Sequence, residues 1–515
     1  MNIGKGGNIP YSRFINDELI HFSNADNIRS LPHLMDGLKP SQRKILFGCF
    51  KRGLKQEVRV AQLAGYVSEH AAYHHGEASL TATIVGMAQT FVGSNNIHLL
   101  APVGQFGSRL MGGKDAASAR YIHTHLESIV DVLFRKEDQP ILNYLVDDGL
   151  MVEPENYYPV VPLLAINGCV GIGTGFSTDI PPHNPDDVIR LIRDRLTGAL
   201  NTLEGVELSP WWLGFKGPVT KHADSTWMTK GLYTFDDAKH SITITELPVG
   251  VWTKDYKAYL DELASVEGVS SKTEKSSDPG RTDDGKPILK GFDDLYNDVE
   301  VKFVLYLDHD YYEDVKADTN EFEKRFKLTN TWKTTNMVCF DVNNQIIKYQ
   351  KIGDLLEAYL EPRLDAYEAR RQNEIECLEA EAIEYDAKAR FLQAILDGTL
   401  ELRRATDEFI VDSMKKLALP PLSLKTAPDS VDAYEYLLRM RMDRVKAAAV
   451  TEAEESVRKA KEALKALESV TAVGLWLEDL TAFEKGWQKL KGVREIMNSA
   501  GDKTNKVIAG SSKKK

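Results

Sequence analysis

The residues best suited to chemistry lie in a glycine-rich stretch, Gly104–Thr124. It carries three cations, Arg109, Lys114 and Arg120, and Tyr121 follows Arg120 directly. Its glycines are Gly104, Gly107, Gly112 and Gly113. Glycine lets backbone amides approach an anion closely, and the cations add positive charge. Because the stretch has few apolar side chains to offer a core, we expect it to meet an anionic ligand.

The residues alone leave the chemistry of this stretch open. It lacks the Gly-Lys-Ser/Thr ending of a phosphate-binding NTPase loop, which argues against nucleotide binding. Most tyrosines pack against other residues, so the pair Arg120–Tyr121 is weak evidence for catalysis when taken by itself. Nearby, His74 and His75 are adjacent and lack a further Cys or His partner, so a phosphate contact or a structural role is favoured over zinc.

The charge distribution points to a local polyanion site. The chain has a net charge of -12, which argues against non-specific nucleic-acid binding by its whole surface. Between Lys39 and Tyr121, however, ten Lys and Arg residues face four Asp and Glu residues. We therefore expect an anionic ligand to bind this part of an otherwise acidic protein.

Three helices are predicted to position these residues. Pro40 suits a helix start, and the residues up to Arg52 place Ile45 and Cys49 on one face and a cationic stripe, which includes Arg43 and Lys44, on the other. Further helices are predicted at 60–67 and 78–91, and another at 126–134. Three short helices joined by glycine-containing turns are typical of helix-turn-helix or winged-helix modules.

The remainder divides into a mixed region and a helical region. Strands are predicted at 241–245 and 301–307, helices at 186–196 and 252–263, and a surface loop at 270–285. Ile172 lies between two glycines, where it is poorly placed to pack and well placed to be presented. From Ile352 and again from Tyr434, apolar residues recur at helical spacing, which predicts a long antiparallel helix pair with a small helical cap and a kink or end at Pro362.

Length and composition are those of a globular protein of two to four domains. The chain has 515 residues, and no apolar run approaches the length of a membrane span. Its four cysteines, which lie far apart, are interpreted as buried thiols in a reducing compartment. We therefore expect an intracellular protein, in the host cytoplasm if it comes from a phage or bacterium and in the nucleus if it is eukaryotic.

Many motifs in register resemble the type IIA DNA topoisomerases, and the eukaryotic enzymes more than bacterial gyrase. The matching segments are Asp36–Lys44, Val60–Ala64, Ala72–Glu77, Phe91–Asn96, Gly104–Gly107, Gly112–Asp115, Arg120–Ile122, Val152–Glu155, Gly171–Gly175, Ile244–Pro248 and Leu475–Leu480. The resemblance implies the breakage-reunion portion, an α+β multi-domain fold. Its implied parts are an N-terminal arm (1–30), a winged-helix domain (31–160), a mixed α/β tower (161–345), a long antiparallel coiled coil with a helical dimer gate (346–495) and a disordered tail (496–515).

The resemblance also implies roles for single residues. Tyr121 matches the tyrosine that forms a 5'-phosphotyrosyl bond, and Arg120 matches the arginine that stabilises charge on the phosphate. Arg43 and His75 match residues that contact the scissile phosphate and the attacking oxygen. Ile172 matches an apolar wedge inserted between bases. The implied DNA-binding residues are Lys39, Lys44, His74, Arg109, Lys114 and Ile172.

The resemblance further implies cofactors and partners outside this sequence. Family members carry an ATPase region and a TOPRIM domain whose carboxylates hold Mg²⁺, and neither signature is found, so no metal ligands are assigned in this chain. We expect a homodimer through the C-terminal gate, double-stranded DNA as substrate, and a separate ATPase/TOPRIM subunit, with a natural subunit favoured over a fragment. A catalytically silent DNA-binding scaffold is the alternative, and a tyrosine recombinase is disfavoured because it needs no coiled-coil gate.

Overall fold

The computed structural model describes residues 9–264, 288–402, 405–422, 430–440 and 447–499. The predicted loop at 270–285 and the tail beyond residue 499 lie outside this part. Two compact units emerge: a larger one made of Met1–Lys136, Leu142–Arg363 and Leu477–Lys515, and a smaller one made of Glu137–Ile141 and Leu364–Trp476. No helix in the described part is both long enough and apolar enough to cross a membrane.

Helices and strands both occur in the described part of the chain. The helices in chain order are α1 (Tyr11–Phe14), α2 (Ile20–Ser30), α3 (Pro40–Arg52), α4 (Val60–His70), α5 (Glu77–Ala88), α6 (Val130–Leu133), α7 (Leu163–Asn167), α8 (Pro185–Leu196), α9 (Thr253–Ala264), α10 (His309–Ala317), α11 (Thr319–Arg325), α12 (Ile352–Leu396), α13 (Asp407–Lys416), α14 (Glu435–Leu438), α15 (Ala447–Glu468) and α16 (Ala472–Ser499). A π-helical turn, Ile15–Leu19, joins α1 to α2, and short 3-10 turns occur at Lys136–Ile141 and Val431–Tyr434.

The strands form small antiparallel sheets. They are β1 (Val58–Arg59), β2 (His123–Thr124), β3 (Tyr144–Asp147), β4 (Leu150–Pro154), β5 (Cys169–Ile172), β6 (Ser177–Ile180), β7 (Val219–Ala223), β8 (Thr226–Lys230), β9 (Leu232–Asp236), β10 (Ser241–Glu246), β11 (Leu289–Asp294), β12 (Phe303–Leu307), β13 (Thr329–Lys333), β14 (Met337–Phe340) and β15 (Ile346–Tyr349). The largest sheets have the orders β11-β12-β10-β9 and β13-β8-β7. The strands predicted near residues 241 and 301 are therefore confirmed as β10 and β12.

The three helices predicted around the basic region are α3, α4 and α5. Pro40 begins α3, and Gly53, with φ of +60°, ends it. A Cβ on Gly48 would lie 2.7 Å from Cγ2 of Val67, so glycine lets α3 cross α4 closely. Ile45 and Cys49 are fully buried, as the helical spacing predicts. The prediction that the cations of α3 face outward is wrong for two of them. Arg43 is buried, and the side chain of Lys44 is largely enclosed.

The four-stranded sheet packs against α9, α10 and α11. Ile242 and Ile244 of β10 and Phe303 and Leu305 of β12 are completely buried in this core. The helices contribute the buried aromatic residues Tyr256, Tyr312 and Phe322. The end of β10 and the start of α9 therefore rest on a continuous apolar core.

The last helix, α16, returns to the larger unit. Three of its side chains bind Asp186 of α8: Trp487 and Gln488 donate to Oδ1 at 2.8 Å, and the ammonium of Lys491 lies 2.9 Å from Oδ2. Near its end the buried Arg494 donates to the carbonyls of Thr90 at 2.5 Å and Asn95 at 3.1 Å. These carbonyls lie in the connection after α5, so α16 stabilises the loop that follows the basic helices.

The smaller unit contains the antiparallel helices predicted from the last third. Arg371 of α12 donates to the carbonyl of Val470 at 2.7 Å, and the Tyr367 and Trp476 rings stack 5.3 Å apart. Farther along α12, Ala387 and Phe391 pack in a core with α13 and the turn around Tyr434. Helix α12 and the returning chain that leads to Trp476 therefore run antiparallel. Helix α13 lies in the core at the far end and corresponds to the predicted helical cap.

Some local predictions differ from the structure. The helix predicted at 126–134 is confined to α6, because the amides of Leu126 and Glu127 donate to the loop carbonyls of Leu54 and Leu99 instead. Helix α12 continues through Pro362 and does not end there, although the boundary between the two units falls at the next residue, Arg363. Cys377 is exposed on α12, so the interpretation of every cysteine as buried is wrong for this residue.

Candidate nucleic-acid interface

Tyr121 lies at the end of a tight turn on the surface. The turn, Ser118–Tyr121, is closed by a hydrogen bond from the Tyr121 amide to the Ser118 carbonyl at 2.9 Å. Tyr121 is 75% exposed, and Arg120 is also exposed. A buried tyrosine ring stabilises a fold through its large apolar surface, and Tyr121 does not contribute in this way. Its side chain and that of Arg120 are accessible to a ligand.

The backbone on both sides of this turn is fixed to the start of α4. The Val60 amide donates to the Ile122 carbonyl at 3.1 Å, and the Ala61 amide donates to the Ala119 carbonyl at 3.1 Å. Just after the turn, β2 pairs with β1, with Arg59 opposite His123. The first amides of a helix have no acceptor within that helix, and these two hydrogen bonds supply one for Val60 and Ala61. The same bonds fix the backbone that carries Arg120 and Tyr121.

The free cations near Tyr121 are Arg120, Lys114 and Arg59. All three side chains are exposed. Within the described ranges none of them forms an ion pair with a carboxylate. Their charges therefore remain available to a phosphate backbone. Arg59 was not assigned to the site from the sequence, and the signal that could have found it is its place directly before the helix that begins at Val60.

Arg43 is held rigidly by Asp36. Its Nε lies 2.6 Å from Oδ2 of Asp36, and its Nη2 lies 3.1 Å from Oδ1 and 2.8 Å from the Leu38 carbonyl. Asp36 also accepts hydrogen bonds from the amides of Leu38 and Tyr157, each at 3.0 Å. Among the described residues no partner is recorded for Nη1 of Arg43, so this nitrogen is the one left for a phosphate.

Lys44 and Lys39 are committed to protein oxygens in this structure. The Lys44 ammonium lies 2.9 Å from the buried Glu153 and 2.6 Å from the Ala71 carbonyl. Lys39 donates to the Val170 carbonyl at 2.9 Å. Lys39 is thereby brought together with the hairpin that carries Ile172, whereas Lys44 lies inward, between α3 and β4.

His74 and His75 are exposed in the connection from α4 to α5. Nε2 of His74 lies 3.4 Å from a carboxylate oxygen of Asp147, at the tip of the β3–β4 hairpin. The His75 ring makes an edge-to-face contact with Tyr73, with ring centroids 5.4 Å apart. Tyr73 is buried, so this contact orients His75 while leaving its ring accessible.

Arg109, which the family resemblance assigns to DNA binding, is enclosed within the protein in this structure. Arg109 is 5% exposed, its Nη2 lies 2.5 Å from Oε1 of the buried Glu246, and the same nitrogen donates to the Leu247 carbonyl at 2.7 Å. Both printed contacts of the Arg109 guanidinium are made by Nη2, and separating this nitrogen from Glu246 would break a buried ion pair. Arg109 instead attaches the glycine-rich stretch to the end of β10.

The glycines of the stretch lie close to other protein groups. A Cβ on Gly112 would lie 2.4 Å from the Trp252 ring, one on Gly113 would lie 2.3 Å from the Gln89 amide, and one on Gly107 would lie 2.6 Å from Gly113. The glycines therefore permit close packing against protein groups.

Ile172 lies at the tip of the β5–β6 hairpin and is 81% exposed. The hairpin rests on α2: Asn27 donates to the Thr174 carbonyl at 3.1 Å, and Thr174 donates to Asp26 at 2.8 Å. A Cβ on Gly173 would lie 2.2 Å from Oδ1 of Asn27, which explains the glycine after Ile172. The turn of the hairpin is therefore fixed to α2 through Gly173 and Thr174, while the adjacent Ile172 side chain remains exposed.

A metal site is not found in the described residues. No group of three or more His, Cys, Asp or Glu side chains there is arranged to hold a metal ion.

Comparison with known proteins identifies the relatives of this chain. The family model for the A subunits of DNA gyrase and topoisomerase IV matches residues 29–481. DNA topoisomerase 2 of Arabidopsis thaliana is 38% identical over 94% of this chain and 33% of its own length, and that of Plasmodium falciparum is 36% identical over 98% and 36%. The chain thus spans about a third of the length of these curated relatives.

A solved structure shares the fold. The crystal structure of the Plasmodium falciparum topoisomerase II DNA-binding, cleavage and re-ligation domain superposes with a TM-score of 0.83 at 36% sequence identity. The match covers 96% of this chain and 66% of that one. The predicted α+β, multi-domain architecture with a long helical arm is therefore confirmed.

Proposed function

Because this chain belongs to the type IIA DNA topoisomerases, we propose that it cuts and rejoins double-stranded DNA, with Tyr121 as the nucleophile. The observation that carries the proposal is the exposed Tyr121, fixed beside the exposed Arg120 by backbone bonds to α4. Tyr121 contributes nothing to the core yet has a fixed backbone beside Arg120, and this combination supports a role toward a ligand.

In the proposed reaction the phenolic oxygen of Tyr121 attacks a DNA phosphorus. An ester bond forms between the phenolic oxygen and the phosphorus, which stays attached to the 5' oxygen of the next nucleotide. The bond from phosphorus to the 3' oxygen breaks, and the phenolic proton is transferred to that 3' oxygen. One phosphodiester replaces another, so the energy of the bond is kept and the reverse attack by the 3'-hydroxyl reseals the strand.

Arginines stabilise the charge that gathers on the phosphate oxygens. Arg120 is next to the nucleophile, and Arg43 offers Nη1 from a guanidinium held rigidly by Asp36. Preorganised donors of this kind lower a barrier without reorganising during the reaction. His75, which Tyr73 orients, contacts the attacking oxygen or the phosphate.

DNA binding extends from the nucleophile to the hairpin tip. Lys114 and Arg59 contact the backbone as exposed cations, and Lys39 does so beside the hairpin. Lys44 and His74 need first to exchange Glu153 and Asp147 for phosphates. Ile172 enters between base steps and bends the duplex, as apolar wedges do in DNA-bending proteins.

The complete reaction requires further polypeptide. Type II topoisomerases use ATP and Mg²⁺, and we place the ATPase region and the TOPRIM metal site on another chain. Two copies of this chain, joined through the smaller unit, supply two copies of Tyr121, one for each strand. The double-strand break opens a gate for a second duplex, which gives relaxation and decatenation.

The test is to trap covalent protein–DNA complexes with SDS. The 515-residue chain, reconstituted with a polypeptide that carries the ATPase and TOPRIM regions and Mg²⁺, should form an adduct with labelled duplex DNA. Tyr121→Phe should abolish the adduct and leave DNA binding in chelator unchanged. Tyr11→Phe is the matched control, because Tyr11 is also exposed but lies in α1, outside the glycine-rich stretch.

Each alternative predicts another result. An undiminished adduct in Tyr121→Phe would show that another residue is the nucleophile. Tight DNA binding without any adduct in the wild-type chain would favour the silent scaffold. Full cleavage by the chain alone in chelator would favour a recombinase-like enzyme, because no second polypeptide or metal would be needed.

A further inference from the structure

The glycine-rich stretch is held on its inner side by a part of the larger unit far away in sequence. We call this attachment the clamp and define it as Arg109, Glu246 and Trp252. The ion pair of the clamp joins Nη2 of Arg109 to Oε1 of Glu246 at 2.5 Å. Glu246 is fixed in turn, because its carboxylate accepts the amide of Leu247 at 2.9 Å and that of Lys216 at 3.2 Å.

Trp252 of the clamp lies against two glycines of separate loops. The nearest ring atom to a Cβ built on Gly112 is 2.4 Å away, and the nearest to one on Gly93 is 3.3 Å away. The Phe91 ring meets Trp252 edge-on, with ring centroids 5.8 Å apart. The indole therefore fixes the distance between the connection after α5 and the glycine-rich stretch.

Backbone hydrogen bonds at the start of α9 complete the attachment. The Lys254 amide donates to the Leu110 carbonyl at 3.0 Å, and the Thr253 amide donates to the Arg109 carbonyl at 3.4 Å. These amides belong to the first turn of α9 and have no acceptor within the helix. The glycine-rich stretch thus caps the N-terminus of α9, and these hydrogen bonds couple the position of the stretch to that of the helix.

The rest of the stretch is stiff enough to carry this restraint to Tyr121. The Ser108 amide and hydroxyl both donate to the Asp115 carboxylate, at 2.8 and 2.5 Å. The Ala117 amide then donates to the Gln105 carbonyl at 2.9 Å, directly before the turn that ends at Tyr121. A chain of short bonds therefore leads from β10 and α9 to the nucleophile.

We propose that Arg109, Glu246 and Trp252 are positioning residues that set the place of Tyr121 from the four-stranded sheet. The inference rests on the proposed function of Tyr121 and extends it, because it makes the sheet part of the control of cleavage. In this role the three side chains act through the glycine-rich stretch and not through a contact with DNA. A displacement of about 1 Å at a reacting group is enough to slow a reaction on the order of 100-fold.

The test separates the rate of cleavage from DNA affinity. Trp252→Ala in the reconstituted enzyme should lower the single-turnover rate of adduct formation about 10- to 100-fold, while the Kd for duplex DNA in chelator changes less than about twofold. Trp252→Phe keeps a ring against Gly112 and should restore most of the rate. Arg109→Lys keeps the charge, loses one hydrogen bond, and should cost about tenfold in rate.

Controls distinguish positioning from general stability. Phe235→Ala removes a partly exposed aromatic ring from the same sheet, away from the glycine-rich stretch, and should leave the rate unchanged. The proposal is overturned if Trp252→Ala cleaves at the wild-type rate, or if its rate and affinity fall together in proportion to the unfolded fraction seen by circular dichroism. In both cases the wild-type enzyme still forms its adduct, whereas failure of the proposed function would show as no wild-type adduct.

Discussion

Gly112→Ala is predicted to be one of the most costly single-methyl additions in the glycine-rich stretch. Gly112 has a φ of +58°, a left-handed conformation that costs a residue with a Cβ roughly 1–2 kcal/mol. The added Cβ would also lie 2.4, 2.6 and 2.8 Å from three atoms of the Trp252 ring. Overpacking of this kind costs about 1–3 kcal/mol, so the free energy of unfolding should fall by about 2–5 kcal/mol.

Gly53→Ala separates the two contributions. Gly53 has a nearly identical φ of +60°, but no heavy atom lies within 4 Å of the place its Cβ would take, so only the backbone cost of about 1–2 kcal/mol should appear. Equilibrium urea unfolding of both variants measures the difference. In a Trp252→Leu background, where the smaller side chain leaves room, Gly112→Ala should cost little more than Gly53→Ala.

Equal losses in Gly112→Ala and Gly53→Ala would refute the close packing of Trp252 on this loop. A second measurement is the trapped adduct at a temperature where both variants are folded. Gly112→Ala should form it slowly, because the loop must shift to admit the methyl group, and Gly53→Ala should form it at the wild-type rate.

Three other outcomes follow from single side chains. Arg59→Ala should reduce the slope of log K for DNA against log salt by about 0.9, whereas Arg190→Ala should leave it unchanged, because that arginine is already paired with Asp187. Burial lowers the pKa of His183 to about 4, so the unfolded chain alone takes up the proton near pH 6.5. His183 should therefore contribute a fall in stability of about 3 kcal/mol as the pH drops from 6.5 to 4, and His183→Gln should remove this contribution in urea titrations. Ile172→Ser should reduce DNA bending measured by energy transfer and leave thermal stability unchanged, because the side chain is exposed.

The sequence predicted those features that depend on local pattern. Helical spacing and Pro40 predicted α3, and alternation predicted β10 and β12, because the period of apolar residues reports which face is buried. The exposed pair Arg120–Tyr121 was found through motifs, since its neighbours offer little to a core. Local pattern was therefore enough for α3, β10 and β12, whereas Tyr121 became the candidate nucleophile only through the resemblance to a known family.

The roles of the cations depended on partners distant in sequence. Arg109 pairs with Glu246, 137 positions later, and Lys44 pairs with Glu153, 109 positions later. Counting charges along a short stretch of sequence treats Arg109 and Lys44 as exposed cations. In the folded chain each is largely enclosed against a buried carboxylate. The same reason explains Gly112, whose neighbour Trp252 is visible only in the folded chain.

The return of α16 to the larger unit has a consequence for biosynthesis. Asp186 and its partner Trp487 are separated by 301 positions, so a ribosome adding about 5–20 residues per second makes the second roughly 15–60 s after the first. During that interval the carbonyls of Thr90 and Asn95 lack the hydrogen bonds that Arg494 donates in the complete fold. The larger unit therefore stays incomplete while Leu364–Trp476 of the smaller unit is translated, and we expect a chaperone to protect the nascent chain most during that interval.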